Sequence, residues 1–320
     1  MTRQQLTASI KQQALDIGFT KVGVTSAQSF DKAADRFNMW VRSGAHGTMQ
    51  WLERNPEKRR DVKEIMPEAR SILSLALNYF STSDASGKAE STEADPLKIS
   101  RYAWGTDYHE IIPPMLRRLL ADIQTLVPGA AGRYYTDTGP LLEKPIAERA
   151  GIGWIGKHTN IITREVGSWV FLAELILNIE LDVDPPAEDM CGTCTRCIDA
   201  CPTQAITAPY QLDATRCISY LTIELKPEHH IEPALASNMD GWLYGCDVCQ
   251  NVCPWNRFEQ PTAIMDFAPR VKNLALRPDE IEAMAQEEFS KRFRKSPIKR
   301  TKLAGLKRNL KALLGTHVTH

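Results

Sequence analysis

The sequence predicts a sheet layered with helices, α/β or α+β, joined to a second module built on cysteines. Strand-like and helix-like patterns alternate through residues 1–180, which is how a helix-covered sheet is written. All eight cysteines lie between Cys191 and Cys253, seven of them in two related runs. The 320 residues, 43% of them hydrophobic and seven of them Trp, suffice for two or three modules with ordinary cores.

Taken in order, Leu6, Ile10, Ala14 and Ile17 fall on one face of a helix over 2–17, which Gly18 is placed to cap. Phe19 to Thr25 alternates as a strand. Phe30, Ala33, Ala34, Phe37, Trp40 and Val41 repeat at helical spacing up to Gly44. Asn55 to Asp61 reads as a turn-rich basic loop, and the apolar run Ile72 to Phe80 as a buried strand. Ser81 to Pro96, rich in Ser, Thr, Ala and acids, reads as a long surface excursion. A helix covers about 110–126, and its Pro113-Pro114 pair favours a start near those residues. Arg133 to Thr136 is a short strand, Asp137 to Pro140 a turn, 141–150 a helix closing at Gly151, and Trp169 to Leu177 an apolar strand. No stretch approaches the length of a membrane span.

The first cysteine run is Cys191-x2-Cys194-x2-Cys197-x3-Cys201-Pro202. Three thiolates at x2 spacing wrap three corners of a cubane, and a fourth after x3, followed by Pro, belongs to a different cluster. The second run, Cys246-x2-Cys249-x3-Cys253-Pro254, has Leu243 where its first ligand should stand. Cys217 is the cysteine left over. The crossing rule then gives one 4Fe-4S cluster to Cys191, Cys194, Cys197 and Cys253, and the other to Cys217, Cys246, Cys249 and Cys201. Structural zinc gives no reason for the repeated x3-Cys-Pro. Disulfides need an oxidising compartment, and Met1 to Phe19 has no apolar signal region, so a cytoplasmic location is expected. Two adjacent clusters imply one-electron traffic.

Other motifs weigh less. Gly151-Ile-Gly153-Trp-Ile-Gly156 matches a dinucleotide fingerprint, but a helix precedes it and a strand-like stretch follows, the reverse of what a pyrophosphate needs. Its glycines fit a helix cap and close backbone approach. Asp107 before His109 reads as an N-cap, and Asp137, in a strand-to-helix turn, has capping as its default role. His158, His229 and His230 lack partners at metal-ligand spacing. Residues 291–311 carry ten Lys or Arg and no Asp or Glu, a field that attracts phosphates by counterion release. RNA fits that field better than a membrane, since no lipidation motif or apolar face accompanies it.

Several stretches together resemble the tRNA epoxyqueuosine reductases, cobalamin-dependent iron-sulfur enzymes related to reductive dehalogenases: Arg101-Tyr-Ala-Trp-Gly-Thr-Asp-Tyr-His109, Asp137-Thr-Gly, Ala147 to Gly153, Gly167 to Glu174, Arg216 to Thr222 and Ser296 to Arg300. The resemblance implies an α+β chain: a nitroreductase-like cobalamin domain at 1–180, a bacterial-ferredoxin-like two-cluster domain at 181–262, and a basic helical extension at 263–320. It implies base-off cobalamin with no protein His on cobalt, which agrees with Ile112 breaking an Asp-x-His-x-x-Gly pattern. Asp137 resembles the family's proton donor, and Arg59, Ser100, Ile161, Leu172 and Ser219, with Asp137, fall at corrin-pocket positions. Some relatives carry Cys at Ser100. Relatives that continue into helical repeats make RNA contacts this chain would place on its basic stretch, with Lys299 and Arg300 as candidates. The implied activity is reduction of epoxyqueuosine in tRNA to queuosine, supplied by a low-potential electron donor of unidentified kind, in a monomer without membrane attachment. The alternatives are a reductive dehalogenase-like enzyme, usually exported with a twin-arginine signal that Met1 to Phe19 lacks, and a non-catalytic ferredoxin-type carrier, which leaves residues 1–180 without a task.

Overall fold

The computed structural model describes residues 1–82 and 97–315. The surface excursion expected from Ser81 to Pro96 lies, apart from its first two residues, outside the described residues. The centre is a four-stranded antiparallel sheet in the order Lys21–Ser26, Ser71–Asn78, Val170–Leu177, Gly132–Tyr135. Every residue of Ser71–Asn78 is buried, because helices cover both faces. Leu73, Leu75 and Leu77 pack with Ile10 and Ala14 of the Arg3–Ile17 helix and with Ile112, Leu116, Leu119 and Ile123 of the Tyr108–Leu126 helix. Ile72 and Ile176 face the other way, onto Ala34, Val62, Met66 and Ile146. The strand period of two thus gives each face its own core.

Local chemistry sets the element ends. Thr2 and Gln5 form a capping box, and Gly18 closes the first helix at φ 115°. The Asn55–Asp61 loop is a short helix, Pro56–Arg60. The long helix starts at Tyr108, five residues before the expected prolines, because Asp107 caps it by accepting the His109 amide at 3.0 Å. Pro113 and Pro114 lie inside it and forgo two helical hydrogen bonds. The Gly-rich stretch holds a helix end and a small strand pair, Trp154–Ile155 with Ile161–Ile162. A Cβ on Gly153 would stand 2.2 Å from the Ile162 carbonyl, so close backbone approach accounts for that glycine.

A second core gathers chain segments far apart in sequence. Ile99 and Ala103 meet Ile218, Tyr220, Leu243 and Tyr244 and the apolar side chains of 281–313, among them Phe289, Phe293, Ile298, Leu306 and Leu310. Trp242–Tyr244 pairs in parallel with Lys98–Ile99. The buried Asn309 amide donates to the carbonyls of Thr222 and Leu243 at 2.8 and 3.0 Å. The expected division after residue 262 therefore runs through a continuous core. Among the described residues no helix is long and apolar enough to cross a membrane.

Candidate functional site

The two cysteine runs fold alike. Each sets a helical turn, Arg196–Asp199 or Val248–Asn251, just before its Cys-Pro pair. All eight thiols are free, with Cys197 and Cys253 buried. Burial and the facing thiols of Cys253, Cys191 and Cys194 push the Cys197 thiol up to about 11. Burial likewise raises Cys246, with Cys217, Asp247 and Cys201 adding to the effect. The sulfurs thus stand in two neighbouring sets. Cys191 and Cys253 share an apolar patch with Trp154 and Trp255, whereas Cys217 and Cys246 lie against the second core. Among the described residues no three His, Cys, Asp or Glu gather around one ion-sized point, and a cubane, whose irons stand at separate corners, asks for wider spacing.

Backbone donors already point at the sulfurs. Cys201 Sγ accepts the Ala205 amide at 3.2 Å. The Tyr220 and Ser219 amides and the Ser219 hydroxyl favour a Cys217 thiolate, and the Trp255 and Asn256 amides do so for Cys253. Lys157 Nζ fastens the first loop by donating to the carbonyls of Gly192 and Cys194 at 2.6 and 3.0 Å. This donor set suits thiolate-held iron-sulfur clusters, whose potentials such hydrogen bonds tune. A depression of about 780 Å³ lies over the first motif, and its lining includes Cys253 but none of the residues around Asp137.

Asp137 caps no helix. The following helix is Glu143–Arg149, and Asp137 stands at φ 58° in the turn before it, a left-handed conformation that non-Gly residues hold only when their surroundings impose it. Those surroundings are polar. Tyr108 Oη donates to Asp137 Oδ2 at 2.7 Å, and the Asp137 amide donates to Glu143 Oε1 at 2.6 Å. His109 Nε2 lies 3.9 Å from Asp137 Oδ2 while its Nδ1 meets Asp107 Oδ1 at 2.8 Å. His109 is raised above the usual histidine range: its hydrogen bond to Asp107 and the charges of Asp107 and Asp137 outweigh burial, the largest single effect.

Lys144 borders the same place. It is exposed to solvent, yet burial among protein atoms lowers its ammonium, against the pull of Asp137, Glu143, Cys249 and Cys217. A side chain both wet and deeply surrounded lines a cleft, here one running from Asp137 toward the second cysteine set. Arg59 approaches Glu143, stacks on Phe37 at 5.3 Å and leaves its Nε without a partner. Leu172 and Ile161 share a small apolar cluster, with Leu172 partly exposed and Ile161 buried. Ser100 is turned away: its hydroxyl donates to Asp247 Oδ1 at 2.5 Å, between Cys246 and Cys249. Ser219 sits at Cys217. The residues expected at the corrin thus divide between a cleft wall, with Arg59, Leu172 and Asp137, and the support of the second cysteine set, with Ser100 and Ser219. An orphaned guanidinium nitrogen and a polar-edged apolar wall fit a large amphipathic cofactor.

The sequence left Tyr108, His109, Glu143, Lys144 and Glu174 unassigned as site residues. For Glu174 a signal existed, one acid inside the apolar strand Val170–Leu177.

Three of the ten cations of residues 291–311, unopposed along the sequence, meet acids in space. Arg292 pairs with Glu280 at 3.2 Å, Lys295 with Glu110 at 3.1 Å and Arg300 with Glu224 at 2.6 Å. Arg308 donates to the carbonyls of Leu221, Leu225, Lys226 and His229, closing a helical turn from outside. Arg300 remains half exposed and is close enough to Asp137 and Tyr244 to be raised by them after Glu224. Lys299 is exposed, with no ion pair found among the described residues. Arg300 therefore stands within charge range of Asp137, and Lys299 precedes it in the chain.

Comparison with known proteins places this geometry. Residues 59–138 match the family model described as epoxyqueuosine reductase QueG, DUF1730, and residues 190–256 match that of a 4Fe-4S double cluster binding domain. The chain is 43% identical over 310 residues to an epoxyqueuosine reductase of Cellulophaga algicola, covering 97% of this chain and 98% of that one. It is 40% identical to the Escherichia coli epoxyqueuosine reductase, covering 97% and 81%. A crystal structure of epoxyqueuosine reductase with an epoxyqueuosine-modified tRNA-Tyr stem loop superposes with a TM-score of 0.87 at 33% identity, over 98% of this chain and 82% of that one. A Bacillus subtilis epoxyqueuosine reductase, solved with the loop of its catalytic aspartate swung out of the active site, gives 0.90 at 33% identity over the same shares.

Proposed function

The chain belongs to the epoxyqueuosine reductase family, and from that premise we propose how its own residues carry the reaction. The activity is reduction of epoxyqueuosine to queuosine at the tRNA wobble position, the last step of queuosine biosynthesis, with electrons passed through 4Fe-4S clusters of the double-cluster segment. Cys191, Cys194, Cys197 and Cys253 would hold one cluster and Cys217, Cys246, Cys249 and Cys201 the other. Residues of a nitroreductase-like domain at 1–180 and of the cluster domain at 181–262 would hold base-off cobalamin, which would supply low-potential cobalt chemistry at the epoxide. Arg59, Ile161, Leu172 and Asp137 would border it from the sheet side, and Ser100 and Ser219 from the cluster side.

Opening an epoxide leaves an alkoxide, so an acid within hydrogen-bond reach of that oxygen lowers the barrier. Asp137 is that acid in this reading, and its position in the cleft between Tyr108, His109 and Glu143 is the observation that carries it. An aspartate serves as an acid near neutral pH only where its surroundings favour the neutral form, which cofactor and substrate closing over the turn would supply. Tyr108 fixes the carboxyl, and Arg300 lies where an anticodon phosphate would be met. The electron donor is a separate low-potential protein or reductant, the working form is a monomer, and the location is cytoplasmic. A ferredoxin-type carrier needs none of the Asp137 cleft, and a dehalogenase needs no cations beside it.

Asp137→Asn tests this reading. The variant is expected to keep cobalamin, both clusters and tRNA binding while turnover falls by roughly 10²- to 10⁴-fold. A near wild-type rate of epoxyqueuosine reduction would remove Asp137 from the chemistry.

A further inference from the structure

Glu174 is wholly buried in the middle of the central strand, in register with Ser74 on one side and Tyr135 on the other. A lone carboxylate there lacks any compensation: the Ser74 hydroxyl reaches Oε1 only at 3.5 Å, and Oε2 meets no donor. Burying an unpaired charge costs several kcal/mol, so such a group keeps its proton. Glu143, on the Glu143–Arg149 helix that packs against this strand, presents a second carboxyl close enough for the two to interact. Two carboxyls meet favourably only with a proton between them.

The other groups around the pair leave that proton in place. Lys144 turns its Nζ to the Thr159 carbonyl at 2.7 Å. Arg59 stacks on Phe37. Tyr108 spends its hydroxyl on Asp137, whose charge opposes ionisation of Glu143. Burial and the Asp137 charge push Glu143 up to about 7, against the Asp137 amide, Glu174 and Lys144, and burial with the Glu143 charge holds Glu174 well above the carboxylate range. The pair therefore carries one negative charge, and Glu143 Oε1 directs it at the Asp137 amide.

We propose that Glu174 is a buried acid sharing one proton with Glu143, and that this pair is the positioning device that holds the strained Asp137 turn over the reacting centre. The proposal rests on the reading of Asp137 as proton donor, and its geometry has two parts. Tyr108 fixes the Asp137 carboxyl, and the pair fixes its backbone at a φ of 58°, a left-handed conformation that non-Gly residues adopt sparingly. Without the shared proton two buried charges would face each other, and the acceptor of the Asp137 amide would be driven off.

Infrared spectroscopy of the cluster-loaded enzyme at pH 7.5 is expected to show the carbonyl stretch of a protonated carboxyl, shifted by deuterium exchange. Glu174→Gln removes it and Asp137→Asn retains it. In Glu143→Ala, the amide of Asp137 exchanges hydrogen roughly tenfold faster than in wild type, and kcat falls while KM for tRNA holds. Glu174→Gln, which offers an amide N–H where the proton stood, retains more turnover than Glu174→Ala. Should Glu174→Ala not fold, the infrared band and the isosteric Gln variant decide. Absence of the band in wild type, its persistence in Glu174→Gln, or unchanged exchange at Asp137 in Glu143→Ala overturns the proposal. Full activity of Asp137→Asn would instead overturn the proton-donor reading while leaving the band and the exchange rates as tests of the pair.

Discussion

Leu243 shows how one residue redirects a cluster. A regular second run would carry a ligand there, but Leu243 is fully buried in the strand Trp242–Tyr244, where a thiolate would sit in apolar packing. In the proposed assignment the missing ligand is Cys217, whose thiolate the amides of Tyr220 and Ser219 favour. Cys217→Ala is expected to lose the cluster shared with Cys201, Cys246 and Cys249 and to halve iron and sulfide, leaving the other cluster largely intact. Two full clusters by iron and sulfide assay in that variant would refute the assignment. Spacing made this ligand set legible because thiolate geometry is local. Asp137 was legible only through family likeness: its partners Tyr108 and Glu143 come from other elements, and nothing in a strand-to-helix turn distinguishes a cap from an acid.

Elements were legible where burial follows the helical period or, as in Ser71–Asn78, runs unbroken along a strand. The first helix, the central strands and the Gly18 cap follow from periodicity and from glycine's tolerance of positive φ. The long helix starts earlier than its prolines suggest, since the Asp107 cap stabilises the first turn by about 1 kcal/mol and tertiary packing of Ile112 and Leu116 outweighs two missing hydrogen bonds. The basic stretch was misleading for a related reason, because its counter-charges Glu110, Glu224 and Glu280 are distant in sequence. Lys299 and Arg300, both exposed, are the expected RNA contacts. Replacing Lys299 and Arg300 is expected to reduce the magnitude of the salt slope of tRNA binding by about one to two, each phosphate contact contributing roughly 0.7–0.9. The measurement is affinity against log salt for tRNAs of different sequence, all weakening alike. An unchanged slope would move the RNA contact elsewhere.

For the whole molecule, the sheet and the cluster segment are fastened by buried polar ties. Ser168 donates through its amide to Asn256 Oδ1 at 2.7 Å, and Trp169 Nε1 donates to Glu259 Oε2 at 2.8 Å. Asp247 takes both the Ser100 hydroxyl and the Arg101 amide. The core beneath the second cysteine set is shared with the Lys302–Gly315 helix. Leu310→Ala, at a fully buried position of that core, is expected to cost about 2–5 kcal/mol. It should also speed iron release from the second cluster, read as loss of visible absorbance under a chelator. Destabilisation without faster release would separate the two. That shared core also bears on how the protein is made. On a ribosome, all eight cysteines have emerged by residue 253, while the side chains that close the wall behind Cys217 and Cys246 arrive only with residues 281–313. The nascent chain therefore passes through an interval in which all eight thiols have been made while the wall behind Cys217 and Cys246 is still open.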